Sequence, residues 1–126
     1  MGTVIQLQKL AGFELTSFDE DGDICPQPIE GWLDLKDCEE AALSVSVFER
    51  SPAASLGLLI QTATVAEGPW TTLVAFTGAT VPLETKVFLT CKEGGTNRFE
   101  RYVRWAADAR FPGNWRICFK IDAVVR

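Results

Sequence analysis

A two-residue rhythm, repeated along most of the chain, constrains the fold more than any other feature. From Ala42 to Glu49, Leu43, Val45 and Val47 alternate with Ser44, Ser46 and Phe48. Successive side chains of a strand point to opposite faces, so this pattern predicts a strand with one face buried. Ser55–Ala63 repeats it with Leu56, Leu58 and Ile60, and so does Trp115–Val125. In the latter, Trp115, Ile117, Phe119 and Ile121 oppose Arg116, Cys118, Lys120 and Asp122. Shorter segments at Trp32–Leu35, Trp70–Phe76, Lys86–Thr90 and Phe99–Ala107 bring the predicted strands to seven. Turn chemistry separates them: Arg50-Ser51-Pro52, Glu67-Gly68-Pro69, Gly78 to Pro82, Glu93-Gly94-Gly95 and Phe111-Pro112-Gly113-Asn114. Strands at roughly ten-residue spacing predict an all-β fold, an antiparallel sandwich or jelly roll.

The first thirty residues differ in character. Thr3–Leu10 alternates Ile5 and Leu7 with Gln6 and Gln8, then breaks at Ala11-Gly12. It reads as an eighth strand or as an arm that docks elsewhere. Asp19-Glu20-Asp21-Gly22-Asp23 and Cys25-Pro26-Gln27-Pro28 read as an acidic loop, with each residue before proline biased to extended backbone. The expected division is therefore an N-terminal arm and acidic loop over residues 1–30 and a sandwich domain over 31–126. One helical turn is allowed within Lys36–Leu43.

Composition narrows the chemistry. A chain of 126 residues with 47% hydrophobic content suits one globular domain. The chain has no histidine, so Ser-His-Asp and Cys-His triads, His-based zinc sites and imidazole bases are excluded. No apolar run approaches the roughly 20 residues of a membrane span. Met1-Gly2-Thr3-Val4 shows no basic leader before its apolar residues, so no signal peptide is expected. The cysteines Cys25, Cys38, Cys91 and Cys118 form no CxxC pair, and reduced, buried thiols are the expectation.

The net charge of −5 hides an uneven distribution. Residues 1–97 carry 14 acidic and 5 basic side chains, giving −9, and residues 98–126 carry 3 and 7, giving +4. The later basic residues lie within strand-like sequence rather than a flexible tail. They read as a solvated outer face or as a surface pairing with the acidic half of another copy. Overall negative charge argues against nucleic acid as a partner. On this reading Arg98, Arg101 and Arg104, with Ile5 and Leu7 of the N-terminal segment, are candidate protein-contact residues.

Catalytic and metal motifs are weak. Asp19, Asp21, Asp23 and Glu30 occupy spacings reminiscent of a calcium loop, but glycine falls at the fourth place and two prolines follow. Glu67, Glu84, Glu93 and Glu100 each lie at a predicted turn or strand edge, with nothing to bring two together over a substrate. Gly94-Gly95 lacks the lysine and helix of a phosphate loop. The expectation is a protein with no cofactor, no metal and no catalytic residues. Trp32, Trp70, Trp105 and Trp115 read first as core and corner residues and second as a sugar-stacking face.

Two stretches carry a family resemblance. Leu58-Leu59-Ile60-Gln61-Thr62-Ala63 is followed by Gly68-Pro69-Trp70-Thr71-Thr72-Leu73 and Phe76-Thr77. Arg101-Tyr102-Val103-Arg104-Trp105 is followed by a glycine turn and the strand Ile117–Val124. Together they resemble the small β-sandwich structural proteins of tailed bacteriophages, over about residues 42–125. The resemblance implies a virion component assembled in the host cytoplasm, such as a capsid decoration or head- or tail-associated protein. Its implied partners are the major capsid protein, other virion proteins and further copies of itself, without nucleic acid or membrane. The Arg-Tyr-Val-Arg element also resembles galactose-binding jelly rolls, and a carbohydrate-binding module is the alternative, although their usual loop aromatic and arginine set is missing.

Overall fold

The computed structural model describes the backbone of residues 3–17, 23–51, 56–76, 83–109 and 113–126, with side chains described over 26–49, 57–76, 83–108 and 116–126. The strands are β1 (Thr3–Ser17), β2 (Asp23–Pro26), β3 (Leu33–Asp34), β4 (Glu40–Ser51), β5 (Leu56–Ala63), β6 (Thr71–Phe76), β7 (Leu83–Thr90), β8 (Tyr102–Ala109) and β9 (Gly113–Val125). The first sheet has the order β1-β9-β4-β7 and the second β2-β8-β5-β6, with β3 also pairing to β8. The strand pairings are antiparallel. The two sheets pack as a sandwich, and the seven strands anticipated from alternation are β3 to β9.

The alternating residues fill the space between the sheets. Leu43, Val45 and Val47 of β4 meet Ile117, Phe119 and Ile121 of β9 on the inner face of the first sheet, all essentially fully buried. Leu58 and Ile60 of β5 with Val103 and Trp105 of β8 face them from the second sheet. Trp105 and Phe119 join the layers edge to face, their centroids 4.9 Å apart at 83°. A bulge between Val47 and Glu49 interrupts the β4–β9 register, and Phe48 there is exposed.

The N-terminal segment takes the strand option: Thr3–Ser17 pairs along β9, from Thr3 opposite Val125 to Ser17 opposite Gly113. Two local readings are corrected. The stretch read as an acidic loop contains a strand, because Asp23–Pro26 pairs with Ala106–Ala109 of β8. Pro26 ends this short edge strand, where a missing N–H is tolerated, and Pro28 lies beyond it, before the 3-10 turn. No helical turn forms over Lys36–Leu43. Lys36 and Asp37 make a turn in which the Lys36 N–H donates to Asp34 Oδ1 at 3.1 Å, and β4 begins at Glu40. The described residues contain one 3-10 turn, Ile29–Gly31.

The thiols of Cys38 and Cys118 are free and half-buried, and that of Cys91 is free and exposed. The expected burial is thus partial for Cys38 and Cys118 and is not met by Cys91. Cys25, Trp115, Ile5 and Leu7 lie outside the described side chains, and Asp19 and Asp21 outside the described residues. Among the described residues no helix is long and apolar enough to cross a membrane.

Candidate functional site

Two surfaces concentrate chemistry, one on the outside of each sheet. On the second sheet, Arg104 of β8 stands opposite Gln61 of β5 and donates from Nε to Gln61 Oε1 at 2.9 Å. Two indoles close over it. The Arg104 guanidinium carbon lies 3.8 Å from the Trp70 ring centroid and 5.4 Å from that of Trp32, and the indoles meet edge to face at 4.6 Å. Tyr102 extends the group, 6.2 Å from Trp32.

Local turns hold each indole. Gln27 follows β2, and its backbone carbonyl accepts the Trp32 indole N–H at 2.8 Å. Gly68 has φ +86°, and a Cβ there would lie 3.0 Å from the Trp70 ring and its backbone nitrogen. Glycine thus supplies both the left-handed turn and the space beside Trp70. The Trp70 indole N–H donates to the Ala66 carbonyl at 3.3 Å.

The electrostatics of this clasp are one-sided. Partial burial pulls the Arg104 pKa below its ordinary value, though an arginine remains charged at neutral pH. No carboxylate among the described residues pairs with it. A guanidinium between π faces is stabilised by about 0.5–2 kcal/mol per contact, depending on its desolvation. Such a group has donors suited to a carboxylate, a sulfate or sugar hydroxyls.

The other candidate arginines are engaged differently. Arg101 forks onto Asp34, Nε to Oδ1 at 3.1 Å and Nη2 to Oδ2 at 3.0 Å, and lies over the Tyr102 ring at 4.9 Å. The Arg101 hydrogen bond holds the Asp34 carboxyl below its usual range. Arg98 reaches the Cys91 carbonyl and Glu100, each at 3.3 Å. Tyr102 and Trp32 thus link Arg101 to Arg104, while Arg98 lies at the bridge between Thr90 and itself. Ile5 is placed opposite Ala123, and Leu7 lies within the register shift between Gln6 and Gln8.

The first sheet presents a different surface. Ala42 pairs with Phe88 on one side and Val124 on the other, forming an apolar row across β7, β4 and β9. Phe88 is 68% exposed and Val124 45%. This row forms part of the wall of an open cavity of about 770 Å³. Both residues break the polar periodicity of their strands: Phe88 follows Glu84 and Lys86, and Val124 follows Lys120 and Asp122. That mismatch was readable in the sequence and marks the face. Gln27 and Gln61, by contrast, carry no sequence signal for their positions.

No protein-family model matches this chain, and no curated protein matches it. Among solved structures it is similar to the crystal structure of PirA, with 9% identity and a TM-score of 0.39 over 91% of this chain and 93% of that one.

Proposed function

We propose that this chain is a structural component of a tailed-bacteriophage particle, a decoration or head-associated protein acting through repeated protein contacts rather than catalysis. The observation that carries the reading is the apolar row Phe88–Ala42–Val124 on a sheet face, with Phe88 more than half exposed. A large side chain so placed costs apolar hydration unless a partner covers it. The sequence resemblance over residues 42–125 supplies the particle, and the major capsid protein is the expected neighbour. Quantitative mass spectrometry of purified particles tests this. The expected result is a stoichiometric multiple of the chain per shell, and a chain found only free in the lysate overturns it.

A carbohydrate-binding role is the second reading, favoured by Arg104 standing between Trp32 and Trp70 without an acidic partner among the described residues. Indole fluorescence titrated with neutral and acidic oligosaccharides tests it. The expected response is a saturable change that Arg104→Ala abolishes, and an unresponsive wild-type protein removes the reading.

A further inference from the structure

The outer face of the first sheet carries a charge pattern that matches itself. Three rows cross β7, β4 and β9 in register: Phe88–Ala42–Val124, Lys86–Ser44–Asp122 and Glu84–Ser46–Lys120. Inner neighbours such as Val87, Leu89, Ile121 and Ala123 are buried, so these rows belong to the outer side. The charges therefore sit at four corners: positive then negative across the middle row, negative then positive across the last. Among the described residues none of these four makes an ion pair, whereas Arg98, Arg101, Arg116 and Arg126 each pair with a carboxylate.

A two-fold axis along β4, lying between two such faces, exchanges the β7 side of one copy with the β9 side of the other. Row position is unchanged by that rotation. Lys86 then faces Asp122 of the second copy, Glu84 faces Lys120, Phe88 faces Val124, and each contact occurs twice. Across these three rows β4 presents Ala42, Ser44 and Ser46, all small, with exposed Phe48 beyond them at the bulge, so over the rows the two sheets can approach to the usual separation of about 10 Å. Strands on the two faces run nearly aligned, as in ordinary sheet-on-sheet packing.

We infer that this face is an isologous interface between two copies of this chain, with Phe88 and Val124 at its apolar end and Lys86–Asp122 and Glu84–Lys120 fixing the register. Self-complementarity under a two-fold is the requirement for a closed dimer. Three strands about 4.8 Å apart and five residues of about 3.4 Å each make the three-row patch roughly 14 by 17 Å, small for a specific interface. The dimer is therefore reversible and weakened by salt. This inference rests on the contact reading above and names its occupant.

Sedimentation velocity over a wide dilution series tests it, with circular dichroism confirming the fold of each variant. Wild type is expected to dimerise reversibly. Lys86→Glu alone places Glu opposite Asp122, and Asp122→Lys alone places Lys opposite Lys86. Each variant weakens self-association about tenfold or more, because each repulsion occurs twice. Mixing the two variants restores attraction at both sites, so heterodimers form where neither variant pairs with itself. The double variant recovers self-association. A wild type monomeric throughout, single variants that dimerise normally, or a mixture that fails to associate overturns the interface. A monomer still present in purified particles assigns the face to another virion protein and leaves the particle reading standing. A dimer absent from particles does the reverse.

Discussion

Replacing Phe119 by alanine lowers the free energy of unfolding by about 3–5 kcal/mol, the range for deleting a large buried ring. Phe119 is fully buried on β9 and meets Trp105 of the opposite sheet edge to face. Alanine removes the ring and leaves a void between layers whose backbones are fixed by β4 on one side and β1 on the other. Domains of this size are stable by only about 5–15 kcal/mol, so the loss is a large fraction of the whole. Guanidinium unfolding followed by tryptophan fluorescence measures it, and a loss below about 1 kcal/mol contradicts the assigned packing. Phe119→Leu retains most of the volume and costs less.

Gln27→Ala is expected to cost about 2–4 kcal/mol, from two groups that lose their partners. Gln27 continues the β2–β8 pairing past the end of β2, its N–H donating to the Trp105 carbonyl at 2.9 Å. Its side-chain oxygen stands in for its own backbone carbonyl, which accepts from Trp32 instead. Oε1 accepts the Trp105 N–H at 3.2 Å, and Nε2 donates to the Gly31 carbonyl at 2.9 Å. Alanine leaves the Trp105 N–H and the Gly31 carbonyl without these bonds. Gln27→Glu preserves the acceptor but sets a buried carboxylate oxygen against the Gly31 carbonyl, so at neutral pH it is expected to cost at least as much as Gln27→Ala. Equal stability of all three proteins in a denaturant series would falsify this role. Since the Gln27 carbonyl also holds Trp32, the alanine variant should shift the tryptophan emission as well.

The core was readable because its signal is local and periodic. Leu43, Val45, Val47, Ile117, Phe119 and Ile121 announce their faces within a few residues, and no distant contact is needed to interpret them. Strand β2 was hidden because its partner, Ala106–Ala109, lies some eighty positions away, while Pro26 and the neighbouring acids advertise a loop. The turn at Lys36 escaped for a related reason. Cys38-Glu39-Glu40-Ala41-Ala42 has helix-compatible composition, but pairing of Glu40 and Ala41 with Thr90 and Leu89 decides the conformation. The clasp at Arg104 joins β8 to two separate turns through contacts of long sequence separation. Its aromatic members were visible as candidates, whereas Gln27 and Gln61 were not.

The pairing of Thr3 with Val125 has a mechanical consequence. Chain entering β1 and chain leaving β9 pass through the same corner of the first sheet. A pull applied through both would peel the β1–β9 ladder one hydrogen bond at a time. Antiparallel strands loaded at one end open like a zipper, whereas strands sheared lengthwise must lose all their bonds together. A pull on both ends of the β1–β9 pair therefore opens the sandwich first at that corner.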